Sequence, residues 1–255
     1  MTSQSPPTGL RTEGLTFRVG GAKIVEDVSL AVPAGEFLGI IGPNGAGKTT
    51  LLNLLSGTVR STSGRILLGD TDITRLAPHR RARLGLSRTF QTSYLLLGLS
   101  ALENVRLMAQ SRNVKGVGLL RLLTPKDATT AEAREALDRV GLGAAAGRPA
   151  GSLSHGDRRK LELAIVVAAR APYVLLDEPM AGVNSEDVEG LTELIRELHR
   201  ESGATFLMVE HHLEVVLGLA ERVAVMHKGE LLAVDAPDTV TSDERVQTAY
   251  VGELL

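Results

Sequence analysis

Gly42-Pro43-Asn44-Gly45-Ala46-Gly47-Lys48-Thr49-Thr50 is the stretch on which the reading of this chain turns. It follows a continuous apolar run, Phe37-Leu38-Gly39-Ile40-Ile41, and passes into "TLLNLLSG", whose leucines keep helical spacing up to the C-cap candidate Gly57. Strand, glycine loop and helix, in that order, are the context in which the pattern G-x-x-x-x-G-K-[ST] carries meaning. Only glycine-rich backbone can wrap closely enough for successive N–H groups and a helix N-terminus to converge on phosphates. Gly42, Asn44, Gly45, Ala46, Gly47 and Thr50 are therefore nucleotide-binding candidates. Lys48 is expected to reach the β- and γ-phosphates of ATP, and Thr49 to place its hydroxyl on Mg²⁺. A flexible loop with a surface lysine is the bland alternative, and it does not account for the matched strand and helix.

Further along, Tyr173-Val174-Leu175-Leu176-Asp177-Glu178-Pro179 is an apolar strand that delivers two adjacent carboxylates at its C-terminal end, where open parallel sheets bind their ligands. Asp177 is placed to hold Mg²⁺, through water or directly, and Glu178 to polarise the attacking water. Read as helix caps, the two acids compete poorly with Asn184 and Ser185, which stand nearer the start of the next helix. That helix, Ser185 to Ser202, leads into a third strand, Thr205 to Val209, while a helix Arg158 to Arg170 precedes the acidic strand. Repeated helix-strand units predict a parallel sheet. Before the loop, Leu15 to Phe37 alternates around Gly20-Gly21 and predicts an antiparallel lead-in. Between Gln91 and Gly151 the strand signals vanish, leaving "ALENVRLMAQ" and "TAEAREALDRVG" around a Gly- and Leu-rich segment, Val114 to Thr124, which predicts a helical insertion. "RVAVMH", Lys228-Gly229 and "ELLAVDA" predict a terminal hairpin followed by a short helix.

Composition narrows the function classes. The chain has 255 residues, net charge -2 and pI near 6.3, with no basic excess for neutralising nucleic-acid phosphates. It has no cysteine, which removes disulfide frameworks and thiolate metal sites. Its longest apolar runs, such as Leu161 to Ala169, fall far short of the roughly 20 residues a membrane span needs, so membrane association is expected through a partner. The opening MTSQSPPTGL has neither the charged nor the apolar region of a signal peptide and reads as a tail over residues 1–10.

A loop and an acidic strand define only a nucleotide hydrolase of the P-loop class; Leu153-Ser154-His155-Gly156-Asp157 with the basic helical stretch "RRKLELA" narrows it. Here the sequence resembles the ABC ATPases, whose signature usually reads Leu-Ser-Gly-Gly-Gln; His155 and Asp157 depart from it. The resemblance covers the chain from about Leu15 onward. It is nearest the ATPase subunits of branched-chain amino acid importers, through "GLSRTFQ", "HGDRRKLELA", "DEPMAGVN", "VEHHLEVV" and "AYVGEL", with urea and short-amide importers next. It implies an α/β fold of the ABC type: a RecA-like core with β lead-in over 11–91 and 160–255, and a helical subdomain over 92–159. By the same resemblance Ser154 and Gly156 contact ATP held by a second copy or a homologous ATPase, and Gln91 senses Mg²⁺ and the water. Ala181-Gly182-Val183-Asn184 crosses the dimer interface, and His211 contacts the γ-phosphate, with His212 its rival. Val19 occupies the position where the family places an aromatic residue on adenine; Phe17, two residues back, is expected to pack into the core. The implied setting is the cytoplasmic face of the membrane, bound to permease subunits and served indirectly by an extracytoplasmic solute-binding protein. The Gly- and Leu-rich segment resembles an extra piece of this importer subfamily. The alternative is a soluble ABC ATPase acting as an energy-coupled module without a transporter, although such chains typically carry tandem cassettes or long coiled-coil insertions.

Overall fold

Strands without polar alternation need cover on both faces, and the strand Phe37–Ile41 is buried at every residue. The computed structural model describes residues 9–89, 95–112 and 128–251. Its elements begin with β1 (Leu10–Val19), β2 (Ala22–Val32), β3 (Phe37–Ile41), α1 (Lys48–Ser56), β4 (Ser63–Leu68), β5 (Thr71–Asp72), α2 (Pro78–Arg83) and β6 (Leu86–Arg88). Three helices follow, α3 (Ala101–Ser111), α4 (Ala128–Arg139) and α5 (His155–Ala169). Then come β7 (Tyr173–Asp177), α6 (Ser185–Ser202), β8 (Thr205–Val209), α7 (Leu213–Leu219), β9 (Arg222–His227), β10 (Glu230–Asp235), α8 (Pro237–Ser242) and α9 (Glu244–Val251).

The chain divides into two compact units. The first comprises Met1–Arg88, Pro172–Glu178 and Ser202–Leu255. It contains a six-stranded sheet in the order β10-β9-β3-β8-β7-β6, parallel except for the β10 edge, and a four-stranded antiparallel sheet, β2-β1-β4-β5. Helix α1 seats Leu51, Leu52, Leu54 and Leu55 in one core with Leu15, Val25 and Val28 of the antiparallel sheet and Leu38, Ile40, Leu175 and Leu207 of the parallel one. Arg81, only 1% exposed, closes the far end of α1. Its guanidinium donates to Leu54 O and Leu55 O at 2.6 and 2.7 Å, and to Leu76 O and Thr74 O. These include carbonyls a helix end leaves without intrahelical donors. Burial pushes its pKa down to about 10, which leaves it charged at neutral pH.

The second unit comprises Thr89–Ala171 and Pro179–Glu201. Here α3, α4 and α5 pack against one another and bury Ala101, Val105 and Ala109, Ala133, Ala136 and Leu137, and Leu161, Ala164 and Ala168. Ser100 caps α3 by accepting from Glu103 N–H at 3.1 Å.

Three boundaries differ from the sequence reading. Leu10, placed in the tail, is a fully buried strand residue opposite Val32 and Leu68, partners too distant in sequence to signal it. The limit drawn at Arg159 falls inside α5, and residues 160–171 and Pro179–Glu201, assigned to the core by sequence, belong to the second unit, because α5 continues unbroken to Ala169 and α6 groups with that unit. Two short helices, α8 and α9, stand where one was expected, because the extended backbone of Asp243 separates them; Pro237 opens α8 at a first-turn position that suits proline.

Candidate functional site

The glycine loop between β3 and α1 is built by close approach. A Cβ on Gly42 would lie 2.1 Å from Met226 O, and one on Gly47, at φ 99°, would lie 2.6 Å from Ile24 O. Asn44 and Gly45 are exposed at the tip, whereas Gly42, Ala46 and Gly47 are buried and Thr49 and Thr50 half-buried. Helix α1 has no side-chain cap and no acidic residue in its first turn, so no carboxylate there offsets the positive end of its dipole, which favours an anion. Lys48 is buried, and its ammonium donates to Gly42 O at 2.5 Å and Pro43 O at 2.9 Å. A cation fixed in that cradle suits a polyphosphate.

At the end of β7, Asp177 is 1% exposed. Its Oδ2 accepts from Arg88 Nη2 at 2.7 Å, while Arg88 Nη1 donates to Asn53 Oδ1 and Ser56 Oγ, both at 2.8 Å. Arg88 therefore ties the acidic strand to α1, and breaking so buried a pair costs about 3–5 kcal/mol. Sequence reading quoted Arg88 inside "GLSRTFQ" and gave it no role. Its partners lie 32 to 89 residues away, and no local pattern announces them.

Glu178 follows with φ 49°, left-handed backbone that costs a non-glycine residue on the order of 1 kcal/mol and collects at functional positions. Its N–H donates to Val209 O at 2.9 Å, and its Oε1 lies 2.8 Å from His211 Nε2. The imidazole donates there. The His211 backbone is held in turn by Glu210 Oε2, 2.8 Å from its N–H. His212 instead occupies the N-cap of α7 with no side-chain cap bond. The histidine that meets the carboxylate is thus His211 and not its neighbour His212. Gln91 lies outside the described residues, as does Val114 to Thr124.

In the second unit Ser154 caps α5, accepting from Asp157 N–H at 3.1 Å. Ser154 is exposed and Gly156 half-buried. Both line a hollow with Asp157, Lys160, Val183 and Asp187. Back in the first unit, Val19 ends β1 at 56% exposure, whereas Phe17 packs against the hydrophobic core as expected.

Together, a glycine loop on a capless helix, a buried aspartate and a glutamate–histidine pair define a P-loop nucleotide hydrolase whose core is interrupted by a helical unit. The ABC transporter family model matches residues 25–181, and the chain belongs to that family, as an ATP-binding and ATP-hydrolysing subunit. It is 38% identical over 251 residues to the high-affinity branched-chain amino acid transport ATP-binding protein LivG of Escherichia coli, covering 96% of this chain and 98% of the relative. It is 37% identical to BraF of Pseudomonas aeruginosa over the same shares. It is 34% identical to the E. coli lipopolysaccharide export protein LptB, covering 96% of this chain and 97% of the relative. Among solved structures, the ADP conformation of MJ1267, an ATP-binding cassette of an ABC transporter, superposes with TM-score 0.83 at 30% identity, covering 96% and 99% of the two chains.

Proposed function

We propose that this chain powers an importer for branched-chain amino acids or related small polar solutes. The observation that carries this reading is its likeness to LivG and BraF along nearly the whole of both chains. In this reading the loop Gly42–Thr50 and Lys48 hold the phosphates of ATP. Thr49, Asp177 and Gln91 offer the hard oxygen donors that Mg²⁺ takes. Held there, Mg²⁺ would offset the negative charge of the phosphates. Glu178 orients the attacking water and accepts its proton, and His211 keeps that carboxylate aimed while its own ring faces the γ-phosphate. The shared site needs a second copy or a homologous ATPase, because the loop's remaining donors come from Ser154 and Gly156 of the other subunit.

Membrane attachment falls to permease subunits, since no described helix is long and apolar enough to cross a membrane. A solute-binding protein outside the membrane would deliver the solute, with this chain on the cytoplasmic face. The second unit carries a feature that suits a permease and that sequence reading missed. Leu96 and Leu97 are each 50% exposed and Leu99 39% exposed, on a turn fastened by buried Asn104, whose amide bonds both the N–H and the C=O of Leu96. Exposed leucines held rigidly outward mark a contact surface. Affinity purification of the tagged chain from its own membranes tests the reading. Two hydrophobic permease subunits should come with it, and the double variant Leu96→Asp, Leu97→Asp should lose them while basal hydrolysis stays within about twofold. Recovery from the soluble fraction alone would point to a module without a transporter.

Val19 sets a second expectation. Valine cannot stack on a base, and a missing aromatic stack is worth roughly 0.5 to 1.5 kcal/mol, or up to about tenfold in affinity. GTP should therefore compete well with ATP, and Val19→Tyr should tighten ATP binding about three- to tenfold in a fluorescent-nucleotide titration. A wild-type preference for ATP that disappears in Phe17→Ala would assign the stacking to Phe17 instead.

A further inference from the structure

His155 stands where the family's signature carries glycine, and a glycine could make none of the contacts seen there. Its Nε2 lies 3.1 Å from Ala181 O, so the ring donates to the carbonyl. Arg159, one turn along α5 and 6% exposed, donates from Nη2 to the same oxygen at 3.1 Å and from Nη1 to Glu162 at 2.9 Å. The turn that supplies Ala181 is closed by Val183 N–H on Met180 O at 3.1 Å. Its next residue, Gly182, has φ 73°, and a Cβ there would sit 2.6 Å from His155 Nε2. The ring and the turn are thus in close contact. With only two rotatable bonds, an imidazole gives up little freedom in making such a bridge.

We propose that His155 is a positioning residue. By donating to Ala181 O it fixes the Met180–Asn184 turn against the N-terminus of α5, so that Ser154 and the turn meet a second copy of this chain as one preformed surface. The proposal rests on the shared-site reading above and deepens it. Without the ring, Ala181 O would rest on Arg159, and ordering the turn on association would weaken the pair.

The test uses the full chain. His155→Ala removes the bridge without placing glycine in the first turn of α5, and His155→Gln keeps an amide donor. One neutral hydrogen bond is worth about 1 kcal/mol, or about fivefold. His155→Ala should lower turnover about fivefold. In a Glu178→Gln background it should raise the ATP concentration needed for dimer formation by a similar factor, read by analytical ultracentrifugation. ATP affinity of the monomer should stay within about twofold, and His155→Gln should recover at least about half of the loss. Wild-type behaviour of His155→Ala, an equal defect in a folded His155→Gln, or loss of monomer nucleotide binding would each overturn the positioning role. Should the alanine variant fail to fold, the glutamine variant decides by its dimerisation threshold. Ser154→Ala run alongside separates the two readings. If it alone is impaired, only the role of His155 falls; if neither is impaired, the shared site falls too.

Discussion

Glu178→Gln is expected to lower steady-state ATP hydrolysis by at least about 100-fold, the lower end of what a positioned general base contributes, while ATP affinity stays within about twofold. The reason lies in how the residue is held. Its backbone sits at φ 49° and is fixed by Val209 O, and its carboxylate is aimed by His211 Nε2 at 2.8 Å. Glutamine fills the same volume and can still accept from the imidazole, so the loop, Lys48 and Asp177 are undisturbed. What it cannot do is take a proton from water. ATP should therefore be bound and kept, and an ATP-loaded dimer should accumulate on size exclusion at millimolar ATP. His211→Ala should fall between wild type and this variant, because the carboxylate remains but loses its partner. Turnover above about half of wild type in Glu178→Gln would move the base elsewhere.

The second large effect is expected from separating the two halves of the shared site. Ser154→Ala should cut hydrolysis by about 10-fold or more, on the scale of one lost hydrogen bond to a charged group, with little change in monomer affinity. Lys48→Ala should abolish tight ATP binding, because a buried ammonium in a glycine cradle has no substitute among its neighbours. Each homodimer is then defective at both sites. A mixture of the two variants forms heterodimers in which one site combines intact Lys48 from one chain with intact Ser154 from the other, and that site should trap one nucleotide per pair. If mixing recovers no trapping, Ser154 does not act across the interface.

The sequence made some parts of this molecule plain and hid others for a physical reason. Phe37 to Ile41, Val174 to Leu176 and Phe206 to Val209 are apolar runs buried at every residue, and such strands signal themselves locally. The loop Gly42 to Thr49 does so because phosphate binding needs glycine and lysine at set spacing. By contrast, β6 is three residues, Leu-Ser-Arg, with no pattern of its own, and exists by pairing with β7. Leu10 is a strand residue only because Val32 and Leu68 flank it. The site follows the same rule. Glu178 is legible from the end of its strand and His211 from the family resemblance, but Arg88 on Asp177, and His155 with Arg159 on Ala181 O, are contacts between distant segments. No spacing encodes them, although the departure of His155 from the signature marked its position.

On the function proposed above, this chain's hydrolysis of ATP drives import of branched-chain amino acids or related small polar solutes. The most direct measurement is uptake of radiolabelled leucine, isoleucine and valine by cells whose own copy is replaced with Glu178→Gln. Permease co-purification serves as the control for assembly. Uptake should fall to background while the complex still assembles with ATP bound. Uptake unchanged for all three in an assembled Glu178→Gln complex would contradict it.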